Sequence, residues 1–191
     1  MRIAQVAPLY ERVPPIYYGG TERVVFYLTE ELIRQGHDVT LFASGDSLTH
    51  ARLIAACKRS LRLDSECKNH LIPHVLQLNQ VLEHVAFFDV VHFHTDCLHF
   101  PIARRMEQPN LTTLHGRLDL PELAPLFREF SELPVVSISN SQRTPLPWIN
   151  WQATIHHGLP LQLYRGSTTE GKYLAFLGRI SPEKRPDRAI E

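Results

Sequence analysis

The chain has 191 residues, of which 43% are hydrophobic and 21% charged, and these ordinary shares predict a globular protein with one well-buried domain and residues to spare. Lys and Arg (20) balance Asp and Glu (20), so no basic excess points to a nucleic-acid partner. No apolar run approaches the roughly 20 residues that span a bilayer, which argues against a transmembrane segment and leaves peripheral membrane contact open.

The first 45 residues predict a strand, a glycine loop, a helix and a second strand. Residues 3–7 form a short, largely apolar run typical of a buried parallel strand, and a proline-containing loop follows up to Gly19 and Gly20. From Thr21 onward, apolar residues recur at helical spacing. Thr21 is the expected N-cap, and Gly36 lies where a helix C-terminus favours glycine. With a strand at 38–43, this segment predicts a right-handed βαβ unit.

Strands and helices continue to alternate over the next hundred residues. Strands are expected at 53–56, 89–94, 110–116, 134–139 and 154–156, and helices at 74–87, 98–106 and 123–130. The first of these helices should bury the apolar positions Val75, Leu78, Leu82 and Val85, which share helical spacing. We therefore predict an α/β fold: a Rossmann-like open parallel sheet with helices on both faces.

Three regions are predicted along the chain. The first domain covers residues 1–160, a linker rich in turn residues covers 161–171, and a second domain starts at 172–191, with a strand at 172–180 and a helix beginning at 185. One strand and part of a helix cannot bury a core. The expectation is therefore a second domain that is truncated.

The three cysteines, Cys57, Cys67 and Cys97, are irregularly spaced and form no C-x-x-C pair. This argues against a disulfide framework or a zinc ribbon and favours reduced thiols. The N-terminus leads directly into an apolar strand, without the pattern of a secretory leader. We expect a cytoplasmic protein.

Two short elements are candidates for binding a diphosphate. Gly19 and Gly20 precede a predicted helix start, where backbone N–H groups can hold an anion, but a plain connecting turn explains them equally well. Arg179 and Lys184 lie between a predicted strand and a predicted helix. Two cations at that point would suit a diphosphate, although from charge alone a solvated basic turn is the commoner outcome.

His92, His94 and His99 raise the question of a metal site, because imidazole is a common zinc ligand. His92 and His94 lie on the same face of a predicted strand. No H-E-x-x-H pattern occurs in the sequence. We therefore expect no metal, and interpret these histidines as the polar edge of a cleft.

Ordered blocks of sequence resemble one enzyme family, the group 1 retaining glycosyltransferases of GT-B fold. The opening block MRIAQVAPLY and the block YYGGTERVVFYLTEELIRQGHDVTLFASGDS resemble the start of these enzymes. The blocks that follow in the family's order are DVVHFHTD, TTLHG, VVSISNSQR, IHHGLPLQLY and, for the start of the nucleotide-binding domain, YLAFLGRISPEKRPDRAIE. The resemblance implies the N-terminal half of a GT-B fold.

The resemblance also implies an activity: transfer of a hexose from a nucleotide sugar to an unknown acceptor, with retention and without a cofactor or essential metal. Gly19 and Gly20 match the glycine loop that faces the donor phosphates and the acceptor. His115 matches the histidine that contacts the donor sugar, and Arg179 and Lys184 match the pair that binds the donor diphosphate. Such cations stabilise the negative charge that develops on the leaving group. No protein nucleophile is assigned.

Two features of that family, the E-x7-E element and the pocket for the nucleotide base, fall later than residue 191. The chain alone is therefore expected to be inactive. One alternative is an inactive truncated product that acts only as a binding or interaction domain. Another is a sugar-nucleotide epimerase or nicotinamide oxidoreductase, against which the missing G-x-G-x-x-G counts. An uncovered cleft wall also predicts self-association.

Overall fold

Seven strands of the first 159 residues form one parallel sheet. The computed structural model describes residues 1–163, 170–178 and 180–191, and only the backbone of Glu183. The strands are β1 (Arg2–Val6), β2 (Asp38–Ala43), β3 (Arg52–Ala55), β4 (Val90–Phe93), β5 (Asn110–Thr113), β6 (Val135–Ser137) and β7 (Trp151–Thr154). Their order in the sheet is β3-β2-β1-β4-β5-β6-β7. Growth of the sheet reverses between β3 and β4, so a topological switch point lies between β1 and β4, where open α/β sheets bind ligands.

Helices pack on both faces of this sheet, as the sequence predicts. The helices of the first unit are α1 (Gly20–Arg34), α2 (Leu71–His84), α3 (Phe100–Ala103), α4 (Leu123–Glu129) and α5 (Asn140–Arg143), with 3₁₀ turns at Leu61–Leu63 and Val85–Phe87. Ala4 and Val6 of β1 belong to an apolar cluster that includes Leu78 of α2. Ala7 belongs to a second cluster that includes Val25 of α1. Side chains of consecutive residues at the end of β1 and just after it thus pack on opposite faces of the sheet, which confirms the predicted Rossmann-like fold.

The ends of α1 follow the sequence prediction at one terminus only. Gly19 is the N-cap, and no side chain caps the helix, so the prediction of Thr21 as the cap is wrong. The N-cap lies two residues earlier because Gly19 takes a backbone conformation with φ of 151° that turns the chain into the helix. At the other end Gly36 has φ of 85° and donates its N–H to Ile33 O, which confirms its predicted role.

The buried face of α2 differs from the apolar face that helical spacing predicts. Val75 and Leu82 are exposed, and the side of the helix facing the sheet instead buries His74, Gln77, Leu78 and Val81. Gln77 Nε2 donates to the carbonyls of Ala7 (2.9 Å) and Phe42 (3.1 Å), at the ends of β1 and β2. These carbonyls need donors once they are buried, so polar side chains occupy positions that periodicity assigns to apolar ones.

Residues 160–191 form a second compact unit. It contains 3₁₀ turns at Leu161–Leu163 and Pro182–Lys184 and the helix α6 (Pro186–Ile190), which confirms the predicted helix start. The strand predicted at 172–180 is wrong for the residues of that range that the structure describes, which form no strand and are exposed. A strand needs a neighbour to satisfy its backbone groups, and the described part of this unit supplies none. The predicted linker (161–171) falls partly outside the described residues.

Candidate functional site

A row of polar side chains crosses the carboxyl ends of β1, β4 and β5. Gln5 lies beside His92 in the pairing of β1 with β4, and His94 follows at the end of β4. Thr113 ends β5, and His115 comes two residues later. Because side chains alternate along a strand, all five lie on the same face of the sheet, away from the cluster that contains Phe93. The row therefore spans the switch point between β1 and β4.

Hydrogen bonds join these side chains into a continuous chain. Gln5 Oε1 accepts from His94 Nε2 at 2.8 Å, while Gln5 Nε2 lies 3.4 Å from His92 Nδ1. His94 Nδ1 and His115 Nε2 are 2.9 Å apart, and His92 Nε2 bonds Thr113 Oγ1 at 2.8 Å. We call these five residues the imidazole row. Sequence analysis singled out three of its members and missed Gln5 and Thr113.

Burial keeps the imidazoles of the row uncharged at neutral pH. It lowers the pKa of His92 to about 4 and that of His115 to about 3. It also holds the pKa of His94 well below its ordinary value, with further lowering from the neighbouring histidines. A neutral imidazole has one donor and one acceptor nitrogen. The row can therefore make directional hydrogen bonds, but it brings no positive charge to a diphosphate.

The second ring nitrogen of His115, Nδ1, is buried. Within the part of the chain that the structure describes, its Nδ1 has no hydrogen-bond partner. The ring of His157 stacks on that of His115, with centroids 5.1 Å apart and planes at 22°. Asp96, just beyond β4, has a left-handed backbone with φ of 49°, and desolvation raises the pKa of its carboxyl group. Asp96 and His157 lie in the sequence blocks HTD and HHG. No pattern in the sequence predicted a role for either side chain.

The structure requires glycine at one of the two loop positions, Gly19, but not at Gly20. An ideal Cβ on Gly19 would lie 2.8 Å from Pro15 Cβ, and φ of 151° is unfavourable for other residues. The turn itself therefore demands glycine at position 19. An ideal Cβ on Gly20 would meet no atom within 4 Å, so open space surrounds that position. The role of both glycines toward a phosphate stays a prediction.

Two carboxyl groups lie at the start of α1, beside the glycine loop. Glu11 and Glu22 are 4% and 5% exposed. Glu11 Oε1 accepts from Arg62 Nη1 at 2.7 Å. Desolvation raises the pKa of Glu22, and the negative charge of Glu11 adds to the effect. A phosphate at this helix start would face these carboxyl groups, so the site tolerates an anion best when Glu22 carries a proton.

The predicted cation pair lies in the second unit. Arg179 lies outside the described residues. Lys184 is exposed and ends the 3₁₀ turn that precedes α6. The next residue, Arg185, is bound to Asp187 at 2.6 Å. The predicted roles of Arg179 and Lys184 remain untested.

The three histidines considered as metal ligands do not converge. His99 lies on the other side of β4, where its Nε2 bonds Thr112 Oγ1 at 2.7 Å and its ring stacks on Phe93 with centroids 3.8 Å apart. His92 and His94 bond within the imidazole row. Among the described residues, no three His, Cys, Asp or Glu side chains are placed to hold a metal ion.

The remaining features of the described residues are their helices, one groove and three cysteines. None of the helices in the described ranges is long and apolar enough to cross a membrane. An open groove of about 760 Å³ lies between the end of α2 and α3. It is lined by Leu82, Val85, Pro101, Ile102, Arg105, Met106, Glu107 and Gln108 and contains no predicted site residue. Cys57, Cys67 and Cys97 are free thiols, as predicted.

Solved structures of glycosyltransferases share this fold. Sucrose-phosphate synthase from Thermosynechococcus elongatus aligns with a TM-score of 0.63 at 15% identity, over 86% of this chain and 50% of that chain. AviGT4, a glycosyltransferase involved in avilamycin A biosynthesis, aligns with a TM-score of 0.58 at 19% identity, over 86% and 44%. A glycosyltransferase from Rickettsia africae aligns with a TM-score of 0.52 at 18% identity, over 80% of this chain and 42% of that chain. The chain spans half or less of the length of these proteins, and at such identities the likeness shows the fold alone.

Sequence comparison gives the family. No curated protein matches the sequence. The model of glycosyltransferase family 4 matches residues 18–168, which include the glycine loop, the histidines of the imidazole row and the segment after β7. Together with the parallel sheet and its GT-B neighbours, this match shows that the chain belongs to glycosyltransferase family 4.

Proposed function

We propose that this chain is the acceptor-side domain of a retaining hexosyltransferase that uses a nucleotide sugar as donor. The family match and the GT-B fold support a glycosyltransferase. The observation that carries the finer proposal is His115 Nδ1, a buried acceptor without a partner in the described structure, at the carboxyl edge of the sheet. Buried polar atoms are normally satisfied, so a ligand is the natural partner for this one.

The chemistry of His115 suits a sugar better than a phosphate. Burial lowers its pKa to about 3, so the ring is neutral at physiological pH. A neutral ring accepts a hydrogen bond from a hydroxyl but offers no charge to a diphosphate. We therefore assign His115 to the donor hexose and leave the diphosphate to other groups.

The leaving diphosphate needs positive groups, because negative charge develops on it as the glycosidic bond to the nucleotide breaks. In our proposal the side chains of Arg179 and Lys184 bind it. These groups do the electrostatic work that a metal ion does in other transferases, so no essential metal or cofactor is required. No side chain is assigned as a nucleophile.

Nothing in the fold or the comparisons favours the alternatives of a binding-only module or a nicotinamide enzyme. The free thiols are compatible with the cytoplasm as the site of action. Peripheral membrane contact and self-association remain proposals without a supporting observation in the described structure. The acceptor and the nucleotide base remain open to experiment.

Calorimetry on this chain tests the donor assignment. UDP-, ADP- and GDP-hexoses are titrated in parallel with the matching nucleoside diphosphates. We expect one nucleotide sugar to bind more tightly than its diphosphate, and His115→Phe to weaken that binding by about two- to tenfold, the worth of one hydrogen bond. His156→Phe, at an exposed neighbouring position, is the matched control. Equal binding of diphosphate and nucleotide sugar, or no effect of His115→Phe, would contradict the assignment.

A transfer assay addresses turnover and stereochemistry. Because the family resemblance assigns much of the donor site to a second domain, we expect no turnover by this chain alone, and a measurable rate with any of these donors would overturn that expectation. The anomeric configuration of any product then tests retention. A product with inverted configuration contradicts the proposed class.

A further inference from the structure

We propose that Gln5 and His94 are positioning residues that hold His115 in one tautomer, with a proton on Nε2 and a bare lone pair on Nδ1. The group that a ligand places at Nδ1 must then be a hydrogen-bond donor such as a sugar hydroxyl. The tautomer follows from the structure alone, whereas its use by a sugar rests on the proposed function above.

The orientation of the Gln5 amide determines which nitrogen of His94 carries the proton. Its side chain is 1% exposed, so no bulk water competes for it. Its oxygen lies 2.8 Å from His94 Nε2, and its nitrogen faces His92 Nδ1 at 3.4 Å. An amide oxygen only accepts, so His94 Nε2 carries the proton. The reversed amide would invert every bond of the row and leave a buried N–H on His115 without an acceptor, and buried orphan N–H groups are rarer than orphan acceptors.

The position of the proton on His94 determines the tautomer of His115. His94 is 1% exposed, and burial, reinforced by the neighbouring histidines, holds its pKa well below its ordinary value, so the ring does not take up a second proton. With its one proton on Nε2, its Nδ1 can only accept. His115 Nε2, at 2.9 Å, must therefore donate. Since His115 is neutral as well, no proton is left for its Nδ1.

The bare nitrogen selects the chemistry of its partner. A hydroxyl or an amide N–H donates to it directly. An ionised phosphate or carboxylate oxygen only accepts hydrogen bonds, so its lone pairs would repel the lone pair of Nδ1. The ring could bind such an oxygen only by taking up a proton, which burial disfavours. The ring of His157 stacks on one face of the His115 ring, and Nδ1 itself is buried. The imidazole row therefore discriminates for a sugar hydroxyl and against an anion at this point.

Long-range ¹H–¹⁵N correlation spectra of the ¹⁵N-histidine-labelled chain, without ligand at pH 7.5, test the tautomer. We expect His94 and His115 each to show a protonated Nε2 and an unprotonated Nδ1. A protonated His115 Nδ1, or averaged signals from two tautomers, would overturn the proposal. Because no ligand is present, the result is independent of whether the chain binds a nucleotide sugar.

Variants test whether Gln5 and His94 set that state. Gln5→Leu removes the acceptor for His94, and His94→Phe removes the acceptor for His115 while keeping an aromatic ring. In each variant we expect the His115 signals to move toward a mixture of tautomers. Thr113→Val is the matched control, because it removes a 2.8 Å bond to His92 outside the Gln5–His94–His115 path. An unchanged His115 tautomer in both variants refutes the positioning role, and if they fail to fold the wild-type spectrum still decides.

Discussion

Lowering the pH from 7.5 to 5.5 should destabilise the first unit through histidines that fold in their neutral form. The pKa of His99 is lowered to about 3 and that of His94 well below 6.5, in both cases chiefly by burial. In the unfolded chain both groups take up a proton below pH 6.5. The unfolded state therefore binds more protons, and stability is complete above about pH 6.5 and is lost as the pH falls.

The size of the effect for His99 follows from its ordinary pKa alone, because its folded pKa of about 3 lies below the range of the experiment. Protonation of His99 in the unfolded chain costs about 1.4 kcal/mol of the free energy of unfolding between pH 7.5 and pH 5.5, against a typical stability of about 5–15 kcal/mol. His94, whose pKa burial holds well below its ordinary value, lowers the stability further. His92 and His115, with pKa values of about 4 and about 3, add in the same direction.

Urea denaturation at the two pH values, followed by fluorescence of Trp148 and Trp151, measures this loss. His99→Gln should lower stability at pH 7.5 and shrink the difference between the two pH values by about 1.4 kcal/mol. His156→Gln, at an exposed position, is the control and should leave the difference unchanged. Equal stability at pH 7.5 and 5.5, or a His99→Gln variant with the full pH dependence, would show that these rings are not buried neutral.

Four other substitutions, three at the glycine loop and the start of α1 and one in α2, are tested by the same denaturation assay. Glu22→Gln should stabilise at neutral pH, because burial raises the carboxyl pKa, and the advantage should vanish as the pH falls to 4.5; a destabilised variant at pH 7 contradicts this. Gly19→Ala should cost about 1–3 kcal/mol, whereas Gly20→Ala, in open space, should stabilise α1 by up to about 1 kcal/mol; equal effects would contradict the loop geometry. Gln77→Leu should cost about 1–3 kcal/mol by stripping two buried carbonyls of their donor, and a neutral result would show that water replaces it.

The fold could be predicted because its signals are local. Short apolar runs separated by helical periodicity fix an α/β sheet, and Gly36 marks a helix end by a backbone requirement that few other residues meet. The buried face of α2 could not be predicted in this way. Gln77 is buried for two carbonyls that are distant in sequence, and periodicity of apolar residues says nothing about such bonds.

The sequence likewise predicted some residues of the candidate site and missed others. His115 was found through a family pattern, and His92 and His94 through strand alternation. Gln5 was overlooked, although a glutamine inside a buried strand is a polar group that must find partners. Those partners belong to β4, which pairs with β1 only after almost ninety intervening residues are placed. The hydrogen bonds of the row, and hence the free acceptor on His115, become visible only in three dimensions.

In the proposed function, His115 Nδ1 accepts a hydrogen bond from the donor hexose. The ¹⁵N chemical shift of that nitrogen during titration with nucleotide sugars tests this bond. We expect one nucleotide sugar to shift the His115 Nδ1 signal in the direction of hydrogen-bond acceptance, while the matching nucleoside diphosphate does not. An unperturbed Nδ1 at saturating nucleotide sugar, or the same shift with the diphosphate alone, would contradict it.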